Sequence, residues 1–229
     1  MFKRLYWLFS YLGVMTLSAA FLMGFRYEPG APVENAIFNV LLYAVFIAVH
    51  IVMTMPAFKK AVFGRPEGTE FERRIYIAVS VVTWVGIYWL HQPVGGFTFP
   101  APAWLQFVGL CAVLLSVVAF FEFATFESLG NLVGMPGSQL SHSVGGETPL
   151  MREGPYAQVR HPMYRAAVFI VFASLLIHPN ASQLLFAVLV AASFLGFIPF
   201  EERQLVRARG DEYRVYMSQT TYRVFRGIW

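Results

Sequence analysis

Six apolar runs set the terms for this chain. They lie at roughly Leu5–Phe25, Asn35–Met55, Ile75–His91, Ala103–Phe126, Met163–His178 and Ser182–Phe200. A membrane-crossing helix needs about 20 consecutive apolar residues, and each run comes close, the third and fifth being short. Only 13% of the residues are charged and 57% are hydrophobic, against about 25% charged in an ordinary soluble domain. The expected fold is all-α, a polytopic membrane helical bundle of five or six transmembrane helices. Only Pro179–Ala181 separates the last two runs, so they should form a tight helical hairpin, which leaves the span count open by one. The first run is longer than the roughly 7–15 residues of a signal-peptide core and reads as a retained span.

The cations give the orientation. Cytoplasmic loops of membrane proteins are enriched in Lys and Arg. Of the 17 here, all but Arg26 and Arg165 fall at the N-terminus, in the second-to-third and fourth-to-fifth connections, or after Phe200. Both termini are therefore expected in the cytoplasm. The connections "HQPVGGFTFPAP" and "HPNAS" carry no charge and should face outward. The net charge of +4 suits an anionic lipid surface and does not call for nucleic acid. The lone cysteine, Cys111, excludes a disulfide framework and a cysteine metal site. His91, His142 and His178 have no metal-ligand spacing, so no metal is expected.

Polar residues gather at the cytoplasmic side of the last third. "GPYAQVRHPMY" supplies Tyr156, Arg160, His161 and Tyr164. "EERQL" supplies Glu201 and Glu202 just past Pro199, and the amphipathic tail "GDEYRVYMSQTTYR" adds Tyr213, Tyr216 and Tyr222. A hairpin makes the cytoplasmic ends of the last two runs neighbours. Arg160 and His161 should then sit beside Glu201 and Glu202, in a pocket suited to a zwitterionic ligand. Each piece also has a plain structural reading. Arg160 and Arg165 can snorkel to the interface, and His161-Pro162 can simply start a helix. Glu201 and Glu202 can be a solvated helix end, and the tyrosines an interfacial belt. The long Gly-rich connection before this stretch, "ESLGNLVGMPGSQLSHSVGGETPLMREGPYAQVRHP", is expected to be functional, as loops of that length often are.

"GPYAQVRHPMY", an apolar hairpin and "EERQLVRARGDEYRVY" together resemble the C-terminal signature of integral-membrane methyltransferases. That superfamily includes isoprenylcysteine carboxyl methyltransferases, phospholipid methyltransferases and NnrU-like proteins. The front half is similar to membrane-bound methanethiol S-methyltransferases at His50, Pro56–Lys59, Glu72–Tyr76 and, less closely, Trp89–Pro93. The loop "FESLGNLVGMPGSQLSHSVGGETP" departs from the pattern. The resemblance implies one integral-membrane domain over 1–229, with spans in 1–126 and a cofactor-binding loop, hairpin and tail in 127–229. It implies S-adenosylmethionine as the cofactor, bound in a cytoplasmic pocket of the C-terminal half. Tyr156 and His161 would contact it and Tyr164 would shape its wall. Glu201 and Glu202 would face its cationic groups or hold Arg160 in place. Arg73 would touch the substrate.

Methyl transfer from a sulfonium is an in-line displacement whose main requirement is placing the nucleophile about 3–3.5 Å from the methyl carbon in a water-poor site. For a thiol acceptor the anion must be favoured, and Arg160 would help electrostatically. His50 or a glutamate of the pair, such as Glu202, could take the proton. The leading expectation is a thiol S-methyltransferase of the bacterial inner membrane acting on a small thiol such as methanethiol. Three other readings stay open: methylation of a prenylcysteine carboxylate or phospholipid amine, a reductase, and a non-catalytic NnrU-like accessory protein.

Overall fold

Prolines and glycines punctuate the helices. The computed structural model describes residues 23–64, 70–126 and 150–229, with the side chains of residues 70, 73 and 120–126 left aside. Helix α1, Val33–Thr54, starts directly after Pro32 and stops at Met55, which is extended at φ −69° and ψ 132°. A residue before proline is driven out of the helical region. Pro56 then opens α2, Pro56–Phe63, from its first turn. Gly64 ends α2 in the left-handed region at φ 72°, a conformation that glycine adopts without steric cost. Helices α3 (Glu70–Leu90) and α4 (Ala103–Phe126) follow. A short 3-10 turn, Gly154–Ala157, leads into α5, Pro162–Ile177, again with proline in the first turn. Asn180 caps α6, Ala181–Arg209, its side-chain oxygen accepting from the Gln183 amide at 2.9 Å. Gly210 turns the chain into α7, Asp211–Gln219.

Every named element among the described residues is a helix, and two isolated bridges, Tyr27 to Val94 and Thr98 to Asn180, join the connections. Helices α1 and α6 are long and apolar enough to cross a membrane. Shorter apolar stretches lie at Arg74–Leu90, Ala103–Ala119 and Pro162–Ile177. The expected first run, up to residue 22, the loop with His142, and the side chain of Arg73 lie outside the described residues. The structure differs from the sequence reading in two other places. The second-to-third connection holds a helix of its own, α2, because Pro56 starts it and Gly64 stops it. The last helix runs well past Phe200 to Arg209. Pro199 removes one backbone donor, and the Glu, Arg, Gln, Leu and Ala residues beyond it are good helix formers.

Helices α4 and α5 pack very closely, and Gly109 permits it. A Cβ there would lie 2.8 Å from Leu176 Cβ and 2.9 Å from Ile177 Cγ1, so any side chain would push the two helices apart. The core where α1, α3, α4, α5 and α6 meet centres on Tyr43, Ile87, Val113, Val171 and Phe186. Many large apolar side chains point outward instead, among them Leu41, Val45, Leu115 and Phe107. Exposed apolar surface on that scale marks a contact with lipid or protein.

The two uncharged connections knit together at one end of the bundle. Phe99 N–H donates to the Pro179 carbonyl at 3.0 Å and Ala181 N–H to the Phe97 carbonyl at 2.9 Å. Asn39, fully buried, exchanges bonds with the Gln92 backbone at 2.9 Å each. The Phe25 amide donates to Gln183 Oε1. The other end carries the ion pair of Lys59 with Glu72 and the cluster described next. There Gln204 Nε2 reaches the Thr54 carbonyl at 3.4 Å, tying α6 to the end of α1.

Candidate functional site

The hairpin of α5 and α6 places His161, the residue before α5, against the polar extension of α6. Successive residues on a helix point about 100° apart, so the adjacent Glu201 and Glu202 have different surroundings. Glu202 faces inward, its side chain only 5% exposed. Its Oε1 accepts from Arg160 Nε at 2.7 Å and lies 3.3 Å from His161 Nε2. Its Oε2 accepts from Arg223 Nε at 3.0 Å. Glu201 is 35% exposed at its side chain. Its Oε2 accepts from the Tyr164 hydroxyl at 2.8 Å and lies 3.5 Å from His161 Nδ1. His161 thus has one carboxylate at each ring nitrogen. The Tyr164 ring stacks on it at 5.4 Å between centroids and 11° between planes. Phe194 packs against the other partner of that stack, Tyr164, at 5.3 Å.

Burial alone would push the Glu202 carboxyl up. Hydrogen bonds from His161, Arg160 and Arg223, with the Arg160 charge, outweigh it and hold the group at about 2. Glu202 is therefore an anion under all ordinary conditions, with both oxygens engaged. Burial pushes the Tyr216 hydroxyl up to about 12, and raises that of Tyr213 further, assisted by the charges of Glu202 and Glu201. Both phenols stay neutral beside the ions.

Arg160, buried, also reaches the tail. Its Nη1 donates to the carbonyls of Thr220 and Thr221, each at 2.8 Å. The tail closes around it through the Tyr216 hydroxyl, which donates to the Tyr156 carbonyl at 2.9 Å.

The structure thus brings Arg160, His161, Tyr164, Glu201 and Glu202 into one hydrogen-bonded cluster. Tyr156 lies one contact away, its backbone carbonyl accepting from the Tyr216 hydroxyl and from Thr220 Oγ1. His50 joins a different contact, between α1 and α3. Its Nδ1 lies 2.6 Å from the Phe46 carbonyl and its Nε2 2.8 Å from Ser80 Oγ, with the ring packed on Phe46 and edge-on to Tyr76. None of its contacts is with the cluster. The sequence reading passed over Arg223 and the carbonyls of Thr220 and Thr221. Arg223 read only as one more cytoplasmic cation, and backbone acceptors leave no mark in a sequence.

The cluster can bind a cation at the half-exposed Glu201 and present flat rings beside it. Two open grooves elsewhere are apolar and lined by none of the cluster residues. One, of about 570 Å³, lies between α5 and α6 beside Phe225, and the other, of about 680 Å³, lies among α1, α2 and α3. Their walls suit acyl chains or neighbouring helices rather than a zwitterion.

Comparison with known proteins gives a consistent set. Residues 104–211 match the model of the family described as phospholipid methyltransferase. The chain is 29% identical over 203 residues to methanethiol S-methyltransferase of Mycobacterium tuberculosis, an alignment covering 83% of this chain and 79% of that protein. It is 30% identical over 199 residues to methanethiol S-methyltransferase of Pseudomonas deceptionensis, covering 83% and 73%. Against methanethiol S-methyltransferase 2 of Bradyrhizobium diazoefficiens it is 28% identical over 244 aligned positions, covering 94% and 88%. No solved structure gives a significant match.

Proposed function

The chain belongs to the methanethiol S-methyltransferase family, and from that premise we propose that it moves a methyl group from S-adenosylmethionine to a small thiol. The observation that carries the cofactor assignment is Glu201, whose half-exposed carboxylate borders the stacked rings of His161 and Tyr164. Its Oε2 is bonded, and among the described residues its Oε1 has no hydrogen-bond partner, which leaves that oxygen for a ligand cation. That combination fits a ligand with a sulfonium, an ammonium and a flat base. S-adenosylmethionine supplies, when bound, a methyl group on positively charged sulfur.

The residues take these roles. Glu201 meets a cationic group of the cofactor, His161 and Tyr156 contact it, and Tyr164 forms its wall. Glu202 orients Arg160 and His161 rather than touching the ligand, because both its oxygens are already engaged. Held near 2, Glu202 is also unsuited to accept a thiol proton. Ionisation of the thiol instead depends on the positive field of Arg160 and the cofactor. His50 serves as a base only if Ser80 gives way. Held by Glu201, His161 and Tyr164, the cofactor would supply its sulfonium methyl group to the thiolate sulfur, with the cofactor sulfur leaving as a neutral thioether. The thiol proton is released to solvent.

Isothermal calorimetry with S-adenosylhomocysteine tests the site. The parent protein should bind, and His161→Ala should bind at least tenfold more weakly, about 1.4 kcal/mol. Parent-like affinity in that variant would move the site elsewhere.

The protein is read as a polytopic enzyme of the inner membrane with both termini in the cytoplasm. Supporting this, the described uncharged connections meet at one end of the bundle and the cationic ones gather at the other. Single cysteines at Lys3 and Trp229, in a Cys111→Ser background, should escape an impermeant thiol reagent in intact cells and react after lysis. Labelling of either in intact cells overturns the orientation.

A second reading, methylation of a phospholipid amine, is favoured by the match of residues 104–211 to the phospholipid methyltransferase family. The acceptor assay described in the Discussion separates the two.

A further inference from the structure

The ten residues after α7 turn back onto the cluster. Arg160 N–H donates to the Tyr222 carbonyl at 2.9 Å and His161 N–H to the Arg223 carbonyl at 2.8 Å. With the two bonds from Arg160 Nη1 to Thr220 and Thr221, the backbone of residues 220–223 is fixed against residues 160–161. Val224 is fully buried, and Phe225 meets Phe169 edge-on at 5.8 Å. The chain then closes on itself, with Arg223 N–H donating to the Trp229 carbonyl at 2.9 Å.

This closed turn aims one side chain. The Arg223 guanidinium lies 5.0 Å over the Trp229 ring and donates through Nε to Glu202 Oε2 at 3.0 Å. Arg223 is 30% exposed where Glu202 is 5% exposed, so it is no core filler. Its position matters for what the other oxygen does. Oε1 of Glu202 serves both Arg160 and His161, and a carboxylate held at one oxygen alone can still rotate about its own bond. A charge-assisted bond at the second oxygen locks the plane. A site that must hold a ligand in line needs such support behind the residues that touch it.

We propose that Arg223 is a positioning residue for the cofactor site, which fixes the Glu202 carboxylate and through it the directions of Arg160 and His161. The turn of residues 220–229 is then a working part of the site. This rests on reading the cluster as the S-adenosylmethionine site. A residue that merely pinned the tail would affect stability and leave cofactor affinity alone, which gives the test its direction.

The experiment uses the full chain in detergent micelles. S-adenosylhomocysteine affinity is read by calorimetry, the KM for S-adenosylmethionine and kcat by methyl transfer, and thermal stability by unfolding. Arg223→Ala should weaken S-adenosylhomocysteine binding about tenfold, or about 1.4 kcal/mol, and raise KM by a larger factor than it lowers kcat. Arg223→Lys restores a cationic donor and should recover most of the affinity. Arg223→Met, which keeps an unbranched apolar side chain without the charge, should behave like Arg223→Ala and stands in for it if that variant does not fold. Parent-like affinity in the alanine or methionine variant overturns the proposal, as does equal loss in the lysine and methionine variants. If the parent itself fails to bind S-adenosylhomocysteine, the cofactor reading has failed and this inference falls with it.

Discussion

Glu202→Ala should lower the stability of the folded chain by about 3 kcal/mol and abolish measurable binding of S-adenosylhomocysteine. Removing one partner of a buried ion pair commonly costs about 3–5 kcal/mol, because the other charge is left without compensation. Here the stranded group is Arg160, buried, which keeps the Thr220 and Thr221 carbonyls as partners. Those carbonyls keep the cost at the lower end of the range, and the part exposure of Arg223 adds little. Against a typical total of about 5–15 kcal/mol the loss is large. Glu202→Gln keeps the shape and should lie between parent and alanine variant. Arg160→Met combined with Glu202→Leu should regain stability relative to Glu202→Ala, since well-packed apolar groups often replace a buried pair at little cost, and yet should not bind the cofactor product. The pH dependence has a definite sign. A carboxyl whose folded pKa is depressed contributes above its unfolded value, near 4.5, and loses that contribution as pH falls through about 2. The difference in stability between parent and Glu202→Gln should therefore be flat from pH 7 down to about 5 and shrink below that. Thermal unfolding in detergent across that range measures it, and a Glu202→Gln variant as stable as the parent at pH 7 would refute this view of the pair.

The closeness of residues 160–161 to residues 201–202 was readable because it follows from length. Two apolar runs joined by Pro179–Ala181 must return the chain to the side it left, so the residues before one run meet those after the other. Which glutamate does what was not readable. Glu201 and Glu202 are neighbours of the same type, and their roles separate only when α6 continues past Pro199 and turns one inward and the other toward solvent. Arg223 was further out of reach. Its meeting with Glu202 depends on the turn at Gly210, the length of α7 and the closure onto Trp229, and no periodic pattern encodes that sum. His50 shows the opposite hazard. A histidine inside an apolar run carries a raised functional prior, and here both ring nitrogens are engaged in a contact between α1 and α3. The sequence around it does not reveal that Ser80 is waiting across the helix pair.

The identity of the acceptor should show itself in two trends. The first is with pH. A thiol attacks as its anion, and well below the thiol pKa, which is near 8.5 for cysteine and higher for simple alkyl thiols, each added pH unit raises that fraction about tenfold. The Glu202 carboxylate is held near 2 and stays ionised throughout, so methyl transfer at low thiol concentration should climb with pH until another group or the fold intervenes. The second is with chain length. Every methylene that finds apolar contact gains roughly 0.8 kcal/mol, so a roomy apolar site would favour longer thiols. A compact site beside ionic groups should do the reverse, and the surroundings of Arg160, His161 and Glu201 are ionic and aromatic rather than aliphatic. The two apolar grooves described above are lined by other residues. Methyl incorporation measured across methanethiol, ethanethiol and longer alkyl thiols should therefore decline steadily, and a prenylcysteine analogue and a phospholipid amine should be poor acceptors. If the lipid amine or the prenylcysteine turns over while the small thiols do not, the acceptor is lipid-borne and enters from the bilayer, and the outward-facing apolar walls of α5 and α6 become the place to look for it.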